Sequence, residues 1–154
     1  MSKHLTGSEI VCEALLNEGV SVVFGIPGGA ILPLYGVLSK YPDLRHILCR
    51  HEQGAALMAD GYARISGTPS VCLATNGPGI LNLTYGIASA FVAHSPVVVL
   101  APSASRDHQY RDSAQEFDQL SLFRPITKAA LQINKLERLP DAMRHAFRVA
   151  TSGK

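Results

Sequence analysis

The chain has 154 residues, 47% of them hydrophobic and 17% charged, which is room for one domain with a sizeable core and lies well outside the composition of disordered chains. Fourteen Lys and Arg against twelve Asp and Glu leave a formal charge of +2, with no surplus for a polyanion. Divided at Pro102, the chain carries 5 basic and 6 acidic residues before it and 9 and 6 after it. The later charges alternate in sign without interleaved aromatics, as on a solvated helix face, so no nucleic acid is expected as a partner.

Helix and strand signals alternate along the chain. Met1 to Thr6 lacks the apolar core of a signal peptide. Thr6-Gly7-Ser8-Glu9 is a capping box, and Ile10, Val11, Ala14 and Leu15 follow at helical spacing up to Gly19. Ser21-Val22-Val23-Phe24 predicts a first strand ending at Gly25, and Ile31, Leu34, Val37 and Leu38 mark a second helix broken by Pro42. Ile47-Leu48-Cys49 reads as a second strand. Glu52 then opens a small-residue helix through Ala55, Ala56, Ala59 and Ala63 to Gly67. A third strand at Ser70–Ala74, a helix from Leu81 to Phe91 and a fourth strand from Pro96 to Ala101 follow. Ser103 to Asp118 is polar and aperiodic, and a loop of that length inside a domain is usually functional. Ile126 to Ile133 is expected to form a fifth strand, and Leu136, Leu139, Met143, Ala146, Phe147 and Ala150 a closing amphipathic helix. Nearly all-apolar strands imply helices over both faces, hence an α/β fold with a doubly wound, mostly parallel sheet, in one domain spanning 1–154.

Cys12, Cys49 and Cys72 are odd in number, widely spaced and set among apolar residues, the pattern of buried thiols in a reducing compartment. Cys49-Arg50-His51 offers two metal ligands, but no second pair stands nearby and neighbours on a strand point to opposite faces, so no metal is expected on this chain. The longest apolar runs, such as Val97–Ala101, fall far short of the about 20 residues of a membrane helix. A cytoplasmic protein without a membrane partner is the expectation.

Ligands of open α/β sheets bind at the carboxyl ends of the strands. Those ends carry Gly25-Ile26-Pro27-Gly28-Gly29-Ala30, His51-Glu52-Gln53-Gly54 and Thr75-Asn76-Gly77-Pro78-Gly79, and 12 of the 13 glycines precede Pro102. Each turn alone is an ordinary strand-to-helix connection; three on one rim point to a site where backbone approaches a ligand. A dinucleotide site fits poorly, because Asn82 stands where the third glycine of G-x-G-x-x-G belongs and Ala101-Pro102-Ser103 supplies no ribose-binding acid. No phosphate loop and no G-x-S-x-G elbow are present. Glu52 is the most informative single residue. It is a lone carboxylate opening an apolar helix, where the helix dipole favours the anion and burial favours the neutral acid, conditions suited to sharing a proton with a ligand nitrogen. The plainer alternative is an exposed first-turn Glu that supports the helix N-terminus.

Taken together, Phe24-Gly25-Ile26-Pro27-Gly28-Gly29-Ala30, Arg50-His51-Glu52-Gln53-Gly54-Ala55-Ala56 with Asp60-Gly61-Tyr62-Ala63-Arg64, and Thr75-Asn76-Gly77-Pro78-Gly79 with Asn82 resemble the thiamine-diphosphate-dependent enzymes. The resemblance is to the N-terminal, pyrimidine-binding domain of the acetolactate synthase group. Gln115-Glu116, Arg124-Pro125-Ile126-Thr127-Lys128 and Ala150-Thr151-Ser152-Gly153-Lys154 extend it over essentially the whole chain. It implies the thiamine-diphosphate-binding fold and a mechanism. The glutamate matching Glu52 hydrogen-bonds the cofactor's pyrimidine and promotes its imino tautomer, which deprotonates the thiazolium carbon. The carbanion attacks a 2-oxo acid such as pyruvate, carbon dioxide leaves, and the remainder passes to an acceptor. By the same resemblance Ile26, Pro27, Gly28, Thr75, Gly77, Pro78 and Asn82 line the cofactor pocket, and Gln115 faces the active site from the long loop.

The resemblance further implies a homodimer or tetramer, with the Ala55–Ala63 helix against a partner subunit or, alternatively, simply against its own sheet. Magnesium and the diphosphate are held by a Gly-Asp-Gly…Asn motif of a separate diphosphate-binding domain; neither Asp60-Gly61 nor Asp112-Ser113 supplies it, so this chain holds half a site and is expected to be inactive alone, as the N-terminal part of a longer polypeptide. Three positions depart from the synthase pattern. Ile26 replaces a common tyrosine. Ala114 replaces a phenylalanine before Gln115, which sets a 2-oxo acid decarboxylase or acetyltransferase of the same family beside the first expectation, an acetolactate synthase-like enzyme of branched-chain amino acid biosynthesis. Lys154 stands where flavin-containing members carry an arginine, and a lysine lacks the bidentate fork, which weighs against FAD. A non-catalytic dimerisation or regulatory module of the same fold is the alternative from another class.

Overall fold

A computed structural model describes residues 4–153; Met1-Ser2-Lys3 and Lys154, on which the flavin expectation turned, lie outside the described residues. Its centre is a four-stranded, all-parallel sheet of β1 (Val22–Gly25), β2 (Arg45–Leu48), β3 (Ser70–Leu73) and β4 (Val97–Leu100), in the order β2-β1-β3-β4. Between the strands run α1 (Gly7–Asn17, before β1), α2 (Leu32–Leu38), α3 (Glu52–Ser66) and α4 (Pro78–Val92). After β4 come a short α5 (Gln119–Phe123) and the closing α6 (Leu139–Thr151).

The pleat divides the apolar strands between two cores. Val23, Val71 and Leu73 face one layer with Cys12, Leu15, Leu34, Leu38, Met143 and Phe147, so α1, α2 and α6 cover that face. Phe24 and Cys72 face the other with Ala55, Ala56, Ala59, Ile80, Leu83 and Ile87 of α3 and α4. The α/β, doubly wound architecture read from the sequence is therefore the one observed. The capping box holds α1 as expected: the Glu9 N–H donates to Thr6 Oγ1 at 3.3 Å and the Thr6 N–H to Glu9 Oε2 at 2.9 Å.

One expectation is corrected. The expected fifth strand, Ile126 to Ile133, does not form: Ile126 closes a 3-10 turn that spans Arg124–Ile126 and the segment beyond it joins no ladder, which leaves β4 at the sheet edge. An apolar run long enough for a strand says nothing of which neighbour would accept its hydrogen bonds. The Ala55–Ala63 residues take the alternative reading, a face turned to the chain's own core, while whether α3 also meets a partner subunit is a separate matter of its outward side. Ala55, Ala56, Ala59 and Ala63 are at most 2% exposed within this chain, packed against the chain's own sheet and α4. A Cβ on Gly86 of α4 would lie 2.5 Å from that of Ala56, so the small residues serve the close approach of these two helices. What α3 turns outward instead is Leu57, Met58 and Ile65.

Burial accounts for the thiols. All three cysteines are unpaired and buried, and desolvation pushes Cys12 up to about 11 and Cys72 to about 12, which leaves them unreactive packing groups. No described helix is long and apolar enough to cross a membrane.

One buried charge braces the α3–α4 layer. Asp60, 4% exposed, takes the Arg64 Nε and Nη2 protons at 2.8 and 2.7 Å and the Ser89 hydroxyl at 3.4 Å. Burial pushes its carboxyl up, but the Arg64 fork and the hydroxyl bonds outweigh this and hold it below the usual carboxylate range. Asp60→Ala is expected to cost about 1.5–3 kcal/mol, the range for hydrogen bonds to a charged group, and not more, since the half-exposed Arg64 returns to water. Because the folded carboxyl titrates below the unfolded one, that difference is full above the ordinary carboxylate range and fades as pH falls through the lowered value. Urea unfolding of both proteins at pH 7 and near pH 3 checks it; an equal gap at both pH values would contradict the assignment.

Candidate cofactor-binding site

The strand order reverses between β1 and β3, because the chain leaves β1 for β2 on one side and returns to β3 on the other. The crevice outside the carboxyl ends at such a switch point is where open α/β sheets take ligands. Three turns converge there.

After β1, Ile26 packs half-buried on the α3–α4 core while Pro27 stays exposed. Gly28 runs extended into a 3-10 turn at Gly29–Ile31. A Cβ on Gly28 would lie 2.5 Å from Thr75 Cβ, and the Ala30 N–H donates to Thr75 Oγ1 at 3.3 Å. The β1 and β3 turns thus touch with nothing but hydrogen between them. After β3, Gly77 takes φ +66° in the left-handed region and α4 starts directly at Pro78, earlier than the Leu81 expected, since a proline is tolerated in the first helical turn. Gly79 lies where a Cβ would sit 3.0 Å from the Thr75 methyl and 3.4 Å from Glu52 Oε1.

After β2, His51 Nδ1 accepts the Gln53 N–H at 3.1 Å and caps α3, of which Glu52 is the first residue. Glu52 is half-buried, and its Oε2 accepts a hydrogen bond from Asn82 Nδ2 of α4 at 2.9 Å. Among the described residues no hydrogen bond engages its Oε1. The α3 N-terminus adds its partial positive charge beneath the carboxylate.

The long loop returns to the same rim. It contains a 3-10 turn, Arg106–His108, and then reaches Gln115, whose φ is +64°. Gln115 seats on Gly77: a Cβ there would lie 2.6 Å from the Gln115 Cβ and 2.7 Å from its carbonyl oxygen. The buried Asn76 points its Nδ2 at the Ala114 carbonyl, 3.5 Å away. The structure thereby brings together Gly28 with Thr75, Glu52 with Asn82, and Gly77 with Gln115, while Pro27 and Pro78 stand exposed on the rim. No hydrogen bond joins Gln115 to Glu52 among the described residues. Two contributors stood in the motifs without being singled out: Gly79, which clears the space beside Glu52, and Asn76, which ties the loop down.

A large concavity lies elsewhere. About 1620 Å³ opens between the free edge of β4, the inner face of α6 and the unpaired 127–133 segment, and it includes neither Glu52 nor Asn82. The switch-point rim, by contrast, carries Glu52, Asn82 and the glycine turns. Among the described residues no three His, Cys, Asp or Glu side chains stand close enough to hold a metal ion.

The donor set discriminates between ligands. Gly28, Thr75, Gly77, Gly79, Glu52 and Asn82 include no Lys or Arg, and a lone carboxylate repels a phosphate group. A flat heterocycle with an N–H or a protonatable ring nitrogen fits both the glycine floor and the open Oε1, so the residues present suit the pyrimidine ring of thiamine diphosphate and do not suit its diphosphate. The fold and rim together define an α/β domain with a carboxylate and three glycine turns at its switch point.

Comparison with known proteins agrees. A sequence model of the family described as thiamine pyrophosphate enzyme, N-terminal TPP binding domain, matches residues 5–122, and the chain belongs to that family. It is 49% identical over 150 residues to a probable acetolactate synthase large subunit of Methanocaldococcus jannaschii, covering 97% of this chain and 25% of that one. It is 42% identical over 152 residues to the acetolactate synthase isozyme 1 large subunit of Escherichia coli, covering 99% and 27%. The isozyme 2 large subunit of the same organism is 45% identical over 150 residues, covering 97% and 27%. The chain thus spans about a quarter of the length of these relatives.

Proposed function

We propose that this chain is the pyrimidine-binding half of a thiamine-diphosphate-dependent enzyme that decarboxylates a 2-oxo acid and transfers the remainder to an acceptor, as an acetolactate synthase does. The observation that carries the reading is the Glu52 carboxylate, oriented on one oxygen by Asn82 and open on the other beside a floor of glycine. Thiamine diphosphate supplies, when bound, a stabilised carbanion that the protein's own side chains lack.

This chain's residues do the rest. Glu52 Oε1 accepts and returns a proton at the ring, and Asn82 fixes the rotamer from which it does so. Gly28 and Gly79 would leave room for the ring beside the backbone, with Ile26, Pro27, Thr75, Gly77 and Pro78 forming the remaining wall. Gln115 stands over Gly77, where it reaches the reacting end of the site. Magnesium and the diphosphate belong to a second domain, in the same or a partner chain. The relatives are about four times as long as this chain, which leaves ample sequence for one. With Ala114 before Gln115 the channel is wider than a phenylalanine would leave it, so the acceptor is the least constrained part of the proposal.

The outward faces of α3 and α4 give the partner reading. Leu57, Met58, Leu81 and Tyr85 are between 38% and 64% exposed on these two helices, next to the site, and a second copy seated there completes the cavity. Tyr85→Glu, a surface change, is expected to convert a dimer to monomer in analytical ultracentrifugation; an unaltered sedimentation coefficient would place the contact elsewhere.

For the chemistry the direct variant is Glu52→Gln, which keeps the shape and the Asn82 contact but cannot take up a proton. In the enzyme completed by its diphosphate-binding domain, turnover of pyruvate should fall by about 10²–10⁴, the usual contribution of a positioned acid–base group, with circular dichroism unchanged. Undiminished turnover removes Glu52 from the mechanism. A wild-type assembly that finds its partner yet never turns over a 2-oxo acid favours the non-catalytic module instead.

A further inference from the structure

The loop between β4 and α5 carries a second carboxylate with an unusual set of partners. Glu116 takes the Tyr110 N–H on Oε1 at 2.7 Å and the Ser113 N–H on Oε2 at 3.0 Å. Its own N–H donates back to the Ser113 carbonyl at 2.9 Å, and the Ser113 hydroxyl donates to the His108 carbonyl. One side chain therefore closes the 110–116 turn from both ends.

That turn is not one the backbone adopts freely. Four described non-glycine residues have positive φ, and three of them are Tyr110 at +61°, Asp112 at +52° and Gln115 at +64°. Such residues persist only where their surroundings hold them. Apolar packing does not supply the hold, since Tyr110 is 89% exposed and Arg111, Asp112 and Gln115 are exposed as well. The carboxylate does: the Tyr110 and Ser113 N–H groups keep Glu116 below the usual carboxylate range, in its charged, accepting form.

The far side of the same turn faces the cofactor rim, where the Ala114 carbonyl meets Asn76 and Gln115 rests on Gly77. We propose that Glu116 is a positioning residue: its carboxylate fastens the 110–116 turn so that Gln115 is presented over Gly77 at the cofactor site. The proposal deepens the function above and rests on Gln115 facing that site. Glu116 itself touches neither ring nor substrate; it acts through Gln115.

Two readouts test it on the chain assembled with its diphosphate-binding domain. The first needs no turnover. Trypsin cleavage after Arg111 reports loop opening, and Glu116→Ala should accelerate it about tenfold or more, with Glu116→Gln in between because one carbonyl still accepts one N–H. The second is a double-mutant cycle on pyruvate turnover. Gln115→Ala and Glu116→Ala should each lower kcat/KM by a similar factor, and the double variant should be no worse than Gln115→Ala alone. Unchanged cleavage in Glu116→Ala overturns the clamp. Accelerated cleavage with fully additive kinetic losses overturns the positioning role, since a merely structural brace is indifferent to the side chain at 115. An inactive wild-type assembly overturns the reading of the site itself, and the cleavage rates then still decide the clamp separately.

Discussion

The site depends on backbone segments approaching closer than any side chain allows. Gly28 meets Thr75, Gly79 meets Thr75 and Glu52, and Gly77 meets Gln115, each at a distance that a Cβ would violate or crowd. The strand order places these contacts: β1 and β3 are neighbours in parallel register, with Gly25 opposite Leu73, so their following turns must leave the sheet side by side. Gly86 does the same one layer down, letting α4 settle on Ala56 of α3. That approach sets Asn82 of α4 within reach of Glu52 at the start of α3. The Glu52–Asn82 pair is thus a consequence of helix packing that begins with two small residues more than a turn away.

Electrostatics give the rim its selectivity. A carboxylate at a helix N-terminus is stabilised as an anion, yet Glu52 is half-buried and accepts only one hydrogen bond from the described protein. Most nucleotide sites of parallel sheets spend the helix N-terminus on a phosphate. Here Glu52 opens the helix, His51 Nδ1 takes the Gln53 N–H, and among the described residues no Lys or Arg forms an ion pair with the Glu52 carboxylate. Such a rim suits the ring end of thiamine diphosphate better than its diphosphate, in keeping with the function proposed.

Much of this was legible in the sequence, for reasons that differ by element. The strands were, because parallel strands buried on both faces leave continuous apolar runs, and those around Val23, Val71 and Val98 lie within a residue or two of their expected ends. The glycine turns were as well, because three on one rim exceed what connections alone require. The loop clamp was not: Gln115 and Glu116 stood together in the sequence, but nothing in it shows that Glu116 reaches back to Tyr110 and Ser113. Nor was the role of the alanines in α3, since a small-residue face reads alike whether its neighbour is another chain or its own α4. The strand expected from Ile126 to Ile133 failed for a third reason. Strand propensity is local, whereas pairing requires a partner edge, and none meets it here. The short α5, capped by Asp118 through the Ser121 N–H at 3.0 Å, was hidden at the end of a polar stretch too short to display a period.

The central claim is that Glu52 holds the cofactor's pyrimidine from a carboxylate set by Asn82 and floored by glycine. A crystal structure of the chain assembled with its diphosphate-binding domain and thiamine diphosphate tests it most directly. The account requires a ring nitrogen within hydrogen-bond range of Glu52 Oε1, about 2.6–3.0 Å, with Asn82 still on Oε2 and the ring edge beside Gly28. A cofactor bound with Glu52 turned to solvent, or with its diphosphate rather than its ring against this rim, would contradict it.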